Sequence, residues 1–207
     1  MNKDMKSMLK DAVILFAITV VAGCILGAVY QVTKEPIARQ EQLAKQEAYQ
    51  EVFTDAESFV MPGGFNQEAA YQVIAAQYPE QDIEEVMQAL DGSGQVMGYV
   101  LTVVTHEGYG GDIRFSLGIQ MDGTVNGISL LNIAETPGLG MNAERDLKPQ
   151  FAGKAVEKFE YTKTGAAAES QVDVISGATR TTNAIVNGVN AGLYYFQTEL
   201  GGGALHE

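Results

Sequence analysis

The sequence predicts an α+β fold, in which helices flank a small antiparallel sheet and one N-terminal transmembrane helix precedes them. Three observations support this. An uncharged run of 19 residues begins at Ala12. Three strand-like segments separated by turn signals lie within 96–133. Apolar residues at helical spacing stand before and after those strands. A chain of 207 residues can form one compact domain with an appendage.

The uncharged run 12–30 is long enough to cross a bilayer, because 19 helical residues at about 1.5 Å each span roughly 28 Å. Three lysines precede the run, and Lys34 is the only basic residue just after it. The positive-inside bias therefore predicts residues 1–11 in the cytoplasm and the main domain outside, with a single membrane pass. Two alternatives stay open: a cleaved signal peptide, and lipidation at Cys24, whose context resembles a lipobox.

Composition excludes several classes of function. The formal net charge is −13, and 24 of the 26 acidic residues follow residue 34, which argues against a nucleic-acid partner. One cysteine and two histidines are too few for a Cys- or His-rich zinc site or a cysteine-ligated iron–sulfur cluster. Phosphate-loop and nucleophile-elbow motifs are missing from the sequence. We predict no catalytic side chain and no metal site.

The region between the membrane segment and the first strand is predicted to be helical. Residues 31–66 form a predicted helical linker, in which Pro36 suits the first turn of a helix. The predicted helices here cover 36–58, 67–77 and 80–90. The last of these depends on the spacing of the apolar residues Ile83, Val86, Met87 and Leu90.

The centre of the chain has the pattern of strands, predicted over 96–105, 113–121 and 124–133. The first is rich in β-branched residues, and the second alternates apolar and polar side chains. Asp122-Gly123 between the second and third is a strong hairpin signal. These strands define a small antiparallel sheet.

The C-terminal third returns to helix. Residues 142–159 are predicted to be partly helical, 162–170 a loop, and 181–199 an amphipathic helix on which Gly188 and Gly192 allow close packing. Residues 67–200 then make up the predicted extracytoplasmic domain, and 201–207 a flexible tail.

Two segments have the composition of a binding site. The first combines a proline and two glycines directly after the third strand, and consists of Glu135, Thr136, Pro137, Gly138, Leu139 and Gly140. Composition alone favours an ordinary turn, although glycines also permit close backbone approach. The second precedes the last helix and contains Asp173, Ser176, Gly177, Ala178, Thr179, Thr181 and Thr182. Free N–H groups at that helix start suit an anion, and plain N-capping by a hydroxyl is the alternative.

The two segments together resemble a known family. The pattern D-x-x-S-G-A-T-x-T-T from Asp173 to Thr182 is similar to the flavinylation motif of proteins that carry covalent FMN. Glu135 to Gly140 resembles the family element that lies against the flavin. The order of features also matches: an N-terminal anchor, Gly-Tyr-Gly-Gly at 108–111, then the two segments. The chain is similar to the G subunits of Rnf ion-translocating electron-transport complexes (the RnfG/NqrC family).

The resemblance implies a function and a role for each site residue. Thr179 would carry FMN through a phosphoester formed by a flavin transferase, which would recognise Asp173 and the turn of Ser176, Gly177 and Ala178. Thr181 and Thr182 would cap the helix or bind the phosphate, and the segment 135–140 would line the isoalloxazine ring.

The chain would then be an electron carrier in the bacterial cell membrane. Its partners would be the other membrane and cytoplasmic subunits of a translocase that couples electron transfer between ferredoxin and NAD to Na⁺ or H⁺ movement. An NqrC-like subunit of a sodium-pumping NADH:quinone reductase, or an anchored binding module without redox function, are the alternatives.

Overall fold

The structure of the protein is a computed structural model that describes residues 3–201. The predicted tail beyond Gly201 therefore lies outside the described residues, as do the first two residues of the predicted cytoplasmic segment. The chain divides into two compact units, Met1–Ala44 and Lys45–Glu207, and each is described by itself.

The first unit consists of most of helix α1, Lys3–Val52, which continues into the second. Within the described residues, α1 is the helix long and apolar enough to cross a membrane. The apolar side chains of its uncharged span 12–30 are open to the surroundings; Phe16 and Leu26 are each 70% exposed. This exposure separates α1 from a buried core helix and fits a lipid-facing segment.

Pro36 lies inside α1 instead of beginning a separate helix, because a proline removes only one backbone hydrogen bond and good helix formers surround it.

A five-stranded antiparallel sheet forms the centre of the second unit. Its strands follow the order of the chain, and they are β1 Ser58–Val60, β2 Gln81–Leu90, β3 Val96–Thr105, β4 Ile113–Gln120 and β5 Val125–Asn132. The three strands predicted from the sequence, β3 to β5, are confirmed. In the β4–β5 turn the Gly123 amide donates to the Gln120 carbonyl (3.0 Å), so the predicted hairpin is also confirmed. The sequence did not indicate β1, which occupies part of the predicted helical linker.

The predicted helix over 80–90 is wrong, because this segment is strand β2. A register shift between Ile83 and Glu85 inserts an extra residue into the pairing with β3. Ile83 and Val86, which are three residues apart, are consequently buried in the same apolar cluster. A β-bulge thus produced the three-residue spacing that is typical of a helix.

The sheet is covered on both faces. On one face of the sheet, helices α2 (Gln67–Ile74) and α4 (Thr179–Tyr195) enclose the main apolar core. The backbone of α4 comes so close to the sheet that a Cβ at Gly192 would stand 2.5 Å from Leu117 Cδ2, which confirms the predicted close packing. The end of α1 covers the other face, where Tyr49 and Phe53 are buried. The compact unit therefore begins at Lys45 and not at residue 67.

The remaining segments close the core around the last helix. The segment predicted to be partly helical contains α3 (Ala143–Asp146) between two short 3₁₀ turns. Strands β6 (Glu160–Thr162) and β7 (Gln171–Asp173) form a parallel pair that the sequence did not indicate. The chain then enters α4, two residues before the predicted start, and ends in a π-helical turn over Phe196–Leu200.

Candidate functional site at the start of the last helix

The two segments singled out in the sequence meet in space. They line a cavity of about 410 Å³ together with the loop between β3 and β4. The lining residues are Tyr109, Glu135, Thr136, Leu139, Gly140, Gly177, Ala178, Thr179, Arg180 and Thr181. Eight of these ten are predicted site residues.

The first segment turns sharply behind the cavity wall. The Leu139 amide donates to the Thr136 carbonyl (3.1 Å), and Gly138 between them has φ +79°. Proline followed by a glycine of positive φ is the usual centre of a type II turn. Gly140 then packs against the wall, because a Cβ there would lie 2.6 Å from Thr181 Oγ1 and 2.7 Å from Glu135 Cβ.

Glu135 is a buried carboxylate, with 6% of its surface exposed, and it holds the three parts of the site together. Its Oε1 accepts hydrogen bonds from the amides of Tyr109 (2.7 Å) and Gly110 (3.3 Å). Its Oε2 accepts one from the Thr181 hydroxyl at 3.0 Å. Because buried carboxylates are costly without donors, these bonds fix the loop, the first segment and the start of α4 relative to one another.

The second segment leads into α4 through a tight turn. Thr182 is fully buried, and its hydroxyl accepts from the Ile175 amide (3.1 Å) and donates to the Ala178 carbonyl (3.0 Å). Ala178 is the N-cap and provides no side-chain bond, so the first amides of α4 remain available. The structure therefore supplies free N–H groups and the positive end of a helix beside the cavity.

The hydroxyl groups near this helix start differ in availability. The side-chain oxygens of Thr181 and Thr182 are buried and already bonded within the fold. Thr179 is half-buried, lines the cavity, and its Oγ1 forms no hydrogen bond with any described residue. Of the three threonines, Thr179 alone combines access with a free hydroxyl.

Two lining residues were not among those predicted. Tyr109 projects from the β3–β4 loop with 70% of its surface exposed, and Arg180 follows Thr179. The Arg180 Nε donates to the Glu107 carbonyl (3.0 Å), which connects α4 to the same loop. The Gly-Tyr-Gly-Gly stretch at 108–111 is the signal in the sequence that could have indicated this loop.

Five predicted site residues do not line the cavity. They are Pro137, Gly138, Asp173, Ser176 and Thr182. Pro137 and Gly138 form the turn behind the wall, and Thr182 closes the turn before α4. Asp173 is exposed, and its carboxylate accepts from the Ala166 amide (2.7 Å). Ser176 is exposed on the outer side of its turn.

A histidine closes the base of the β3–β4 loop. His106 Nδ1 lies 2.9 Å from Asp112 Oδ1, and Nε2 lies 3.0 Å from Asp82 Oδ2. Hydrogen bonds to Asp112 and Asp82 raise the pKa of His106 above its ordinary value. This side chain does not line the cavity, so its contribution is to the loop that carries Tyr109.

Comparison with known proteins identifies the class. Residues 108–194 match the model of the FMN-binding domain, and residues 1–52 match the RnfG N-terminal region. The first match contains the whole cavity lining. The cavity fits such a cofactor, because its volume is within the range of about 300–1,000 Å³ usual for cofactor pockets and it joins free amides to apolar walls.

Full-length relatives belong to one kind of complex. The chain is 31% identical to the G subunit of the Na⁺-translocating ferredoxin:NAD⁺ oxidoreductase complex of Acetobacterium woodii, with 94% of each chain covered. It is 28% identical to the G subunit of the ion-translocating oxidoreductase complex of Methanosarcina acetivorans (96% and 99% covered).

A solved structure, Shewanella oneidensis NqrC, covers 70% of each chain at 20% identity with a TM-score of 0.47.

The chain therefore contains an FMN-binding domain and an N-terminal helix of membrane-spanning length and composition. The chain belongs to the family of Rnf-complex G subunits.

Proposed function

We propose that this chain is the electron-carrying G subunit of a bacterial Rnf complex, with FMN attached covalently to Thr179. The complex transfers electrons between ferredoxin and NAD and couples this transfer to ion translocation. Bound FMN supplies the redox chemistry, and the chain supplies attachment, position and electrostatics. Relatives of similar identity are described as Na⁺-translocating in Acetobacterium woodii and proton-translocating in Clostridium ljungdahlii.

The observation that carries the attachment site is the free hydroxyl of Thr179. An acceptor of a phosphoryl group needs an accessible oxygen that is not engaged in the fold. Thr181 and Thr182 fail this condition, because modification would break the bonds to Glu135 or to the Ala178 turn. Modification of Thr179 breaks no side-chain bond among the described residues.

The start of α4 stabilises the attached group. A phosphodiester at Thr179 keeps one negative charge beside the free amides of the first helical turn. This arrangement contributes about 0.3–1 kcal/mol at an exposed helix end and more when partly buried. The glycine-containing segment from Glu135 to Gly140 leaves room for a flat ring, and Leu139 provides an apolar contact.

The charges of the chain support a location for each part, and its family supports the partners. Helix α1 is the membrane anchor, with its lysine-rich start in the cytoplasm and the acidic FMN-binding domain on the other side. The flavin transferase that attaches FMN therefore acts on the extracytoplasmic side, where the turn containing Ser176 and the nearby Asp173 are both exposed. The other subunits of the Rnf complex are the permanent partners.

Intact-mass and peptide mass spectrometry of the full chain from its native membrane test the proposal. The expected result is one FMN less one water, located on Thr179. Thr179→Val removes this mass and the flavin absorbance, whereas Thr54→Val, which changes an exposed threonine outside the cavity, retains both. An unmodified Thr179 in cells with active flavin transferase, or FMN on Thr181 or Thr182, would overturn the attachment site.

A further inference from the structure

The cavity wall contains one buried charge. Among the ten lining residues, Glu135 is acidic and Arg180 is basic, and the two side chains differ in exposure. Arg180 is exposed and its Nε is directed to the Glu107 carbonyl, so solvent and salt screen its charge. Glu135 is 6% exposed, which leaves its field much less screened inside the cavity.

The contacts of Glu135 are those of an ionised carboxylate. Two amides face Oε1 and one hydroxyl faces Oε2, so every group bonded to it acts as a donor. These donors hold the carboxylate in place, and preorganised charges of this kind act on bound groups without reorganisation.

We propose that the negative charge of Glu135 lowers the midpoint potential of the flavin in this cavity. The inference rests on the proposed function, since it needs FMN to occupy the site. Reduction by two electrons and one proton leaves the ring system with one more negative charge than the oxidised form has. A fixed anion in the wall opposes that added charge and favours the oxidised flavin.

The substitution Glu135→Gln separates charge from structure. The side-chain oxygen of the glutamine still accepts hydrogen bonds from the amides of Tyr109 and Gly110. The side-chain NH₂ donates to Thr181 Oγ1, which now acts as an acceptor. The shape and number of hydrogen bonds are retained while the charge is removed. A merely structural role for Glu135 would therefore leave the potential of the substituted protein unchanged.

The experiment is a reductive titration of the flavinylated full chain with dithionite as electron donor and mediator dyes. At the potential where wild-type flavin is half reduced, E135Q flavin is expected to have a reduced-to-oxidised ratio about tenfold higher, equivalent to about 30 mV for a two-electron couple. Glu68→Gln, which removes a carboxylate that does not line the cavity, is expected to match the wild type.

A second variant tests the charge in the opposite direction. Thr181→Val removes one donor from Glu135 Oε2 and leaves the carboxylate less neutralised, so the reduced-to-oxidised ratio should fall below the wild-type value. Flavinylated E135Q or T181V with wild-type potential would overturn the inference, as would an equal shift in Glu68→Gln. Wild-type protein without flavin on Thr179 would instead refute the proposed function, and mass spectrometry before titration distinguishes the two failures.

Discussion

Gly140→Ala tests whether the contact between the first segment and α4 builds the site. The new Cβ would lie 2.6 Å from Thr181 Oγ1 and 2.8 Å from Glu135 Oε2, so it would separate the hydroxyl from the carboxylate. Overpacking of this kind costs about 1–3 kcal/mol. Loss of a hydrogen bond to a charged group adds about 1.5–3 kcal/mol. We expect a total loss of about 2.5–6 kcal/mol and strongly reduced flavin attachment, because the displaced atoms form the cavity wall.

The assay combines thermal unfolding of the full chain, followed by near-ultraviolet circular dichroism, with flavin content per chain. For a folded unit of this size each kcal/mol lowers the Tm by about 2–4 °C. Gly192→Ala is the matched control, because its Cβ is also placed close to a neighbour, 2.5 Å from Leu117 Cδ2, but away from the cavity, and the helix gains about 1 kcal/mol of propensity. It should unfold nearer to the wild type and retain flavin. Normal stability and loading in Gly140→Ala, or equal loss of flavin in both variants, would refute the reasoning.

Two further predictions concern contacts outside the cavity. Asn190→Ala should destabilise the domain by about 2–4 kcal/mol in urea unfolding, because the Asn190 amide satisfies both the N–H (2.8 Å) and the carbonyl (2.9 Å) of Phe159 in the core; a loss below about 1 kcal/mol would contradict it. Because Asp112 and Asp82 raise the pKa of folded His106, its stabilisation is present below the unfolded pKa and is lost as pH rises through the folded value. The stability gap between wild type and His106→Gln should therefore be larger at about pH 5.5 than at about pH 8.5, and a gap that widens at alkaline pH would contradict it.

The strands that can be predicted from the sequence are those whose sequence pattern and pairing partners lie close together in the chain. Strands β3 to β5 were predictable because adjacent strands, an Asp-Gly turn and regular alternation occur within about 40 residues of chain. Strand β2 was mistaken for a helix because a bulge is defined by the partner strand and leaves only an altered spacing in its own sequence. Strands β1, β6 and β7 have three residues each, too few to show any period.

The boundary of the folded unit was unpredictable for a related reason. The residues from Lys45 to the end of α1 have a loose apolar pattern that is typical of an exposed linker helix. In the structure Tyr49 is buried against the sheet, and Lys45 and the Tyr49 hydroxyl both bond to Glu85 on β2. Burial raises the pKa of Tyr49 well above its ordinary value, which agrees with a polar group that is enclosed and satisfied. Such pairing across 36 residues is visible only once the sheet exists.

The site shows where motif and fold contribute different information. The sequence pattern located the S-G-A-T turn but offered several hydroxyls close together, and composition could not rank them. The fold ranks the threonines through hydrogen bonds, since Thr181 is committed to Glu135 and Thr182 to the turn that starts α4. Ser176 is exposed but does not line the cavity. Thr179 therefore differs from the two neighbouring threonines because their hydroxyls are engaged in hydrogen bonds and its own is not. Two buried threonines build the helix start so that the third can remain free, and a variant that released Thr181 from Glu135 would be the place to look for misdirected attachment.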